Sequence, residues 1–170
     1  MREYNVIFSE SAEDDLDDIV EFRLADEKDS DRLAALRWQH KAEEKPLDIS
    51  DRDGFIKICS DNLRIRLKDD LYCWVALENG IIISHIYIVV VKKVPKPDKL
   101  DGIWGYTTAV FCVPECRNKG IGSILMKKAK EWCYEKKLEL LIVWPSERSV
   151  PFYERAGFCG KNDVLELSFE

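Results

Sequence analysis

A hairpin signal in the middle of the chain constrains the fold more than any other feature. Two runs rich in β-branched and aromatic residues flank Asn79-Gly80 within residues 72–93, "YCWVALENGIIISHIYIVVVKK". An Asn-Gly pair readily adopts the two positive φ angles that a tight two-residue turn requires. We therefore predict an antiparallel β-hairpin, and the rest of the chain has to pack around it.

Strands and helices are predicted on both sides of the hairpin. Before it, residues 19–25 alternate like a strand, and two amphipathic helices follow, the first of which ends at Pro46. The second helix has apolar residues at helical spacing: Phe55, Ile58, Cys59, Leu63 and Leu67. After the hairpin come a proline-containing loop, a strand, a helix, a buried strand, a short helix and a final strand: 94–102, 103–113, 120–133, 138–144, 147–158 and 163–170.

This order of elements predicts a single domain of the mixed α/β class. At 170 residues the chain is long enough for one full hydrophobic core. Residues 1–18 contain the acidic run "SESAEDDLDD", which favours a solvated and partly disordered N-terminal extension. The domain is therefore expected over residues 19–170.

The charge and the hydropathy pattern exclude two classes of partner. A net charge of −6 argues against nucleic acids and against anionic membrane surfaces, since both attract excess positive charge. The longest apolar run, 81–91, is interrupted by Ser84 and His85 and is shorter than the about 20 residues of a membrane-spanning helix. We predict neither a nucleic-acid nor a membrane partner.

The six cysteines are scattered, mostly within apolar runs, with no secretion signal before them. This pattern predicts reduced thiols and a cytoplasmic location. Cys112 and Cys116 are four residues apart, but neither a second pair nor a nearby histidine completes a tetrahedral set. No metal site is predicted.

A candidate anion site lies between the strand that ends at Pro114 and the helix that begins near Gly120. The first amides of a helix have no acceptor inside it, and Arg117 and Lys119 add positive charge. A charge-assisted hydrogen bond contributes about 1.5 to 3 kcal/mol, whereas micromolar binding needs about 8, so several contacts are required and a diphosphate fits better than a single anion.

Two familiar nucleotide motifs do not match this loop. "NKGIGSIL" lacks the Gly-Lys-Ser/Thr of a Walker loop, and Leu125 stands where the dinucleotide fingerprint needs a third glycine. An alternative stays open on these residues alone. In that alternative, the glycines only shape a turn, and Arg117 and Lys119 are merely solvated.

Two motifs in a fixed order make the chain resemble a known family. "RNKGIG", residues 117–122, follows "VPECR" from a strand end and matches the Arg/Gln-x-x-Gly-x-Gly/Ala signature of the GNAT N-acetyltransferase superfamily. "SERSVPFYERAGF", residues 146–158, resembles the family's later helix, although Ser146 and Ser149 replace its usual Asn and Ala. The resemblance implies a mixed, mostly antiparallel twisted sheet flanked by helices on both faces.

The same resemblance implies a cosubstrate and a set of site residues. Acetyl-CoA would be bound through backbone groups of Phe111 and Val113 along its pantetheine arm. Tyr153 would be the general acid that protonates the departing thiolate, while adjacent Phe152 and Tyr153 divide packing and ligand contact between them. The pyrophosphate would be held by the amides of a continuous run, with side-chain charge from Arg117 and Lys119: Asn118, Lys119, Gly120, Ile121, Gly122 and Ser123.

The implied reaction is acetyl transfer to a primary amine of a small molecule or peptide by direct attack in a ternary complex. The strand 103–113 lacks the glutamate that many members use as a base, which favours the alternative of a non-catalytic acyl-CoA sensor. Glu78, Asp101 and His85 remain candidate bases acting through water, although His85 fits a satisfied core residue better.

Acceptor and assembly are the least determined features. The negative chain favours a cationic small amine. We predict that the five tryptophans are mostly core residues. Trp38 and Trp104, however, are at positions that often line the acceptor cleft in the family that the chain resembles. The apolar strand 81–91 is either core on both faces or in part a homodimer interface.

Overall fold

The computed structural model describes residues 20–160 and Leu167, and within them the fold is built on one five-stranded sheet. The strands follow one another in chain order across the sheet: β1 (Val20–Leu24), β2 (Leu71–Glu78), β3 (Ile81–Lys92), β4 (Ile103–Cys112) and β5 (Leu141–Val143). β1 to β4 pair antiparallel, and β5 pairs parallel to β4. The expected mixed, mostly antiparallel sheet is therefore confirmed.

Four α-helices accompany the sheet: α1 (Ser30–Glu44), α2 (Arg52–Arg66), α3 (Ile121–Glu135) and α4 (Val150–Arg155). They cover both faces. The Trp132 ring of α3 packs at a tilt against Tyr72, which pairs with Ile88. On the other side, His40 of α1 stacks on Phe111, which pairs with His85. Residues 85 and 88 are three apart on β3 and so point to opposite faces.

The predicted hairpin is confirmed and forms the centre of the sheet. Asn79 and Gly80 both have positive φ, 52° and 77°, and join β2 to β3. Ile82, Ile86 and Ile88 are buried, because β3 lies between β2 and β4 with helices on both faces. Its apolar character is thus explained by the core, and the homodimer stays a prediction.

The strand predicted over residues 138–144 is shorter than expected. Lys137 adopts φ 58° and the Leu138 amide donates to the Cys133 carbonyl, so this segment first closes the end of α3. β5 then pairs only along Gly105–Thr107 of β4, while β4 continues to Cys112. β5 ends opposite Thr107, so beyond Thr107 this edge of β4 is unpaired within the described residues, and we call the space beside it the gap.

A β-bulge marks the same place on β4. The register with β3 shifts between Tyr87 and Ile88, which pair with Ala109 and Thr107, so Thr108 is the extra residue. The predicted N-terminal extension 1–18 and the final strand 163–170, apart from Leu167, lie outside the described residues.

Candidate functional site

The loop after β4 has the open amides that the sequence predicts. Asn118 and Gly120 adopt the left-handed conformation, with φ 61° and 83°, and α3 begins at Ile121. Ser123 and Ile124 are the first helix residues whose amides donate within the loop and helix, both to the Gly120 carbonyl, at 2.9 and 3.1 Å. The amides of Ile121 and Gly122 precede them and so have no acceptor inside the helix.

Gly122 leaves space in front of these amides. A Cβ placed there would meet only Phe152, at 3.6 Å, which is an ordinary contact. A groove between α3 and α4 continues from this point, and three of its lining residues are cationic: Lys127, Lys130 and Arg155. An anionic ligand with an extended tail fits this combination of open amides, free space and positive charge.

The Arg117 side chain is already engaged. Its Nε donates to the Cys112 carbonyl at 2.9 Å, and its NH2 donates to both carboxylate oxygens of Glu43 on α1, at 2.8 and 2.6 Å. The guanidinium also lies 5.5 Å from the centre of the Phe111 ring. Arg117 therefore ties the loop to β4 and to α1, whereas the charge of Lys119 is exposed.

The end of β4 presents one edge to β3 and the other to the gap. The Val113 amide donates to the Ile83 carbonyl at 2.9 Å, and the Phe111 carbonyl accepts from the Ser84 hydroxyl at 2.8 Å. Because backbone groups alternate along a strand, those of Val110 and Cys112 face the open edge. The sequence reasoning missed these two residues, since the alternation depends on the bulge at Thr108.

Tyr153 is buried close to Tyr106, which pairs with Ile142 of β5. Its ring is 7% exposed and packs edge-on against Phe152 and Phe158, at 5.2 and 5.4 Å. Burial, and secondly the phenol of Tyr106, raise the pKa of Tyr153, so the hydroxyl is protonated at neutral pH. Of the two adjacent aromatic residues, Tyr153 is the buried one and Phe152 is the one beside Gly122.

Trp144 departs from the expectation that the tryptophans are core. It is 53% exposed and packs edge-on against Tyr106 at 4.7 Å, because it directly follows β5 at the mouth of the gap. Trp132, by contrast, is buried as predicted. Tyr106 and Trp144 thus make an aromatic wall at the gap, and Tyr106 is also the phenol that acts on the pKa of Tyr153.

None of the three candidate bases, Glu78, Asp101 and His85, is a solvent-accessible side chain at this aromatic wall. Glu78 ends β2 next to the hairpin turn, and Asp101 is exposed in the loop before β4. His85 is fully buried, but the expectation of a satisfied core residue was wrong. Neither ring nitrogen has a hydrogen-bond partner within the described chain, and burial lowers its pKa to about 3.

Three further observations concern cofactors and compartment. All six cysteines are unpaired. Among residues 20–160 and Leu167, no group of three His, Cys, Asp or Glu side chains is placed to hold a metal ion. No helix in this part of the chain combines the length and apolar composition needed to cross a bilayer.

Comparisons with solved structures agree on the fold. A predicted acetyltransferase from Clostridium acetobutylicum, solved with acetyl-CoA, superposes with a TM-score of 0.68 at 24% identity, over 88% of this chain and 96% of that one. An aminoglycoside acetyltransferase from an uncultured soil metagenomic sample, solved with sisomicin, gives 0.67 at 16% identity, over 91% and 98%. A ribosomal-protein-alanine N-acetyltransferase from Brucella melitensis gives 0.65 at 15%, over 89% and 99%.

Sequence comparison adds the family. No curated protein matches the chain significantly. The model of the acetyltransferase (GNAT) family matches residues 25–158, which include every strand from β2 to β5 and all four helices. The open amides at the start of α3 and the gap beside Tyr153 both fall within this match. The chain therefore belongs to the GNAT acetyltransferase family.

Proposed function

We propose that this protein transfers an acetyl group from acetyl-CoA to a primary amine of a small molecule or peptide, by direct attack in a ternary complex. One observation carries the proposal. The open amides at the start of α3 follow the end of β4, whose edge is unpaired beyond Thr107, and Tyr153 is buried close to Tyr106 on the same strand. The six unpaired cysteines support a reducing compartment, the cytoplasm, for the reaction.

The loop and β4 would hold the cosubstrate. The amides of residues 118–122, with Gly122 leaving room, would bind the pyrophosphate, whereas the amide of the predicted Ser123 already donates to the Gly120 carbonyl. Backbone groups at the open edge of β4, those of Val110 and the amide of Cys112, would pair with the pantetheine arm. The predicted Phe111 and Val113 do not fit this role, because their backbone groups face β3, and the Cys112 carbonyl already accepts from Arg117. When bound, the thioester supplies the activated acetyl group.

Tyr153 would act as the general acid. Its raised pKa keeps the proton on Oη at neutral pH, so the phenol can donate that proton to the departing sulfur. The neighbouring rings of Phe152 and Phe158 hold the Tyr153 side chain in one orientation. The fixed ring would present the hydroxyl proton without a conformational change of the protein.

The base for the acceptor amine stays unassigned. A lysine-like amine has a pKa near 10.4, so only about one molecule in a few thousand is neutral at pH 7. β4 carries no acidic residue between Ile103 and Cys112. This lack of an acid is the observation that favours the second candidate function, a non-catalytic acyl-CoA sensor built on the same loop.

Thiol release from acetyl-CoA, measured across a panel of amines, separates the two functions. The panel includes polyamines, amino acids, aminoglycosides and alanine-terminated peptides, since related folds carry the last two activities in their names. Sustained turnover with any amine supports the transferase. Tight acetyl-CoA binding with no turnover supports the sensor, and no binding at millimolar acetyl-CoA refutes both.

A further inference from the structure

A group of buried and partly buried polar side chains lies between α1 and the sheet. We call it the α1–β3 cluster, and it consists of Arg37 and His40 on α1 and His85 and Tyr87 on β3. His85 is 0% exposed and Tyr87 is 4% exposed, with their rings 4.7 Å apart. His40 joins them through Phe111, whose ring is 5.0 Å from His40 and 5.9 Å from His85.

Four polar atoms of this cluster have no hydrogen-bond partner within the described residues, whereas His40 Nε2 lies 3.3 Å from Glu44 Oε1. Within the described chain, His40 Nδ1, both ring nitrogens of His85 and the Tyr87 hydroxyl accept and donate no hydrogen bond. A buried polar group left without a partner costs about 1 to 3 kcal/mol. Folded proteins rarely leave several such atoms together, so the arrangement points to a bound polar group that completes them.

Arg37 gives that group a charge. It lies one helical turn before His40, is half-buried, and has no hydrogen bond or ion pair within the described residues. Its positive charge acts on the pKa values of both His85 and Tyr87, although burial is the larger cause in each, so its guanidinium is within electrostatic reach of both rings. A guanidinium presents a planar fork of donors that matches a carboxylate.

The balance of charge favours a group with a single negative charge. Burial lowers the pKa of His40 and of His85, so both imidazoles are neutral at pH 7. His85 therefore offers one N–H donor, whereas the N–H of His40 is directed to Glu44 through Nε2. Tyr87 adds a hydroxyl. One guanidinium with neutral donors suits a carboxylate better than a phosphate, which carries up to two charges.

The cluster is next to the gap. Tyr87 pairs with Ala109 of β4, directly after the bulge at Thr108 where β5 leaves β4. Neighbouring strands are about 4.8 Å apart, so a group held by Tyr87 and Arg37 lies one strand from the open edge of β4. Ala109 carries only a methyl group on the face that it shares with Tyr87.

We infer that the α1–β3 cluster binds the carboxylate of the acceptor, and that the acceptor is a free amino acid. This rests on the proposed function, because it places the acceptor's amine at the gap. It revises the expectation of a purely cationic amine that net charge suggests, since the donors of this cluster are neutral or positive.

The test compares each of the twenty amino acids with its amide, which keeps the amine and removes the carboxylate. Affinities are measured by calorimetry with CoA present, and kcat/KM with acetyl-CoA. At least one amino acid is expected to bind about 10- to 100-fold more tightly than its amide, as for a charge-assisted fork. Arg37→Gln should remove that difference and leave affinity for the amide and for acetyl-CoA unchanged.

Arg37→Lys keeps the positive charge but loses the planar pair of donors, so it should retain an intermediate preference for the amino acid over its amide. If Arg37→Gln does not fold, Arg37→Lys takes its place in the test. Arg52→Gln is the control, because 44% of the Arg52 side chain is exposed and, among the described residues, it pairs only with its neighbour Asp53. The inference is overturned if every amide binds as well as its amino acid, if Arg37→Gln weakens both equally, or if no amino acid binds. Failure of acetyl-CoA binding would instead refute the proposed function. The amino-acid affinities would still decide whether the α1–β3 cluster binds a carboxylate.

Discussion

Gly122 is the residue at which fold and ligand binding can be separated most cleanly. Its φ is not positive and a Cβ there meets only Phe152, so Gly122→Val should fold with stability within about 1 kcal/mol of the parent. The added side chain would fill the space before the helix amides. We expect acetyl-CoA affinity to fall at least about 100-fold, since several charge-assisted hydrogen bonds are lost.

Calorimetry measures that affinity, and urea unfolding measures the stability. Gly54→Val is the matched control, because a Cβ on Gly54 of α2 meets nothing within 4 Å. Unchanged acetyl-CoA affinity in a folded Gly122→Val protein would contradict the placement of the pyrophosphate.

Tyr153 is predicted to act through its hydroxyl proton alone. Tyr153→Phe keeps the ring contacts with Phe152 and Phe158, so acetyl-CoA affinity should change little. Because only the transition state gains from the proton, kcat should fall by about 100-fold or more. Steady-state kinetics with the best amine gives the measurement, and Tyr134→Phe is the control, since Tyr134 is 87% exposed on α3. Equal kcat values would reduce Tyr153 to a packing residue.

His85 makes the stability depend on pH. Its pKa is about 3 in the folded protein and about 6.5 when unfolded, so below pH 6.5 the unfolded chain binds a proton that the folded chain does not. The stabilisation is complete above pH 6.5 and is lost progressively toward pH 3. At pH 5 the loss from this residue is about 2 kcal/mol.

His85→Leu should remove this part of the pH dependence without losing a hydrogen bond, because the His85 nitrogens have no partner within the described chain. Urea unfolding of both proteins at pH 7 and pH 5 gives the comparison. The lowered pKa of His40 acts in the same direction and remains in both proteins. If the variant loses as much stability as the parent between the two pH values, the assignment of His85 as a buried, neutral imidazole is wrong.

Between elements, the contact that matters most for the site joins α1 to the loop before α3. If Arg117 works by holding the loop, Glu43→Gln should lower acetyl-CoA affinity roughly 3- to 10-fold, because it weakens the two hydrogen bonds to Arg117. If Arg117 instead contacts phosphate itself, removing the negative charge of Glu43 would leave the affinity unchanged or raise it. The sign of the change decides.

Glu44→Gln is the control for this comparison, since Glu44 is on the same turn of α1 and pairs with Lys41 and His40. Little effect on overall stability is expected from either variant, because partly exposed ion pairs contribute only about 0 to 1 kcal/mol. Fluorescence or calorimetric titration with acetyl-CoA is sufficient.

Elements set by local chemistry were predictable from the sequence, and elements set by tertiary contact were not. The hairpin at Asn79-Gly80 and the open amides near Gly120 follow from turn and helix-end rules, and both are present. β5 is shorter than predicted because Lys137 and Leu138 close α3 first. The Arg117–Glu43 pair spans 74 residues, and no local pattern indicates it. His40 was missed for the same reason.

At the scale of the whole molecule, the six thiols differ in exposure and are distributed over the helices, the sheet and the loops. Cys159 is exposed, whereas Cys59 on α2 and Cys112 on β4 are partly buried, and burial raises the pKa of both. The other three are buried: Cys73, Cys116 and Cys133. A thiol reagent attacks through the thiolate, so exposure and pKa together set the rate.

We therefore expect one thiol per chain to react rapidly with a chromogenic disulfide, two to react slowly, and three to react only with unfolding. Cys159→Ser should abolish the rapid phase. Acetyl-CoA should slow one of the two intermediate thiols, Cys112, because that residue ends β4 at the ligand loop, and should leave Cys59 unaffected. Protection of Cys59 rather than Cys112 would place the cosubstrate on α2, and three or more rapid thiols would mean that the interior between the sheet and α3 is open to solvent.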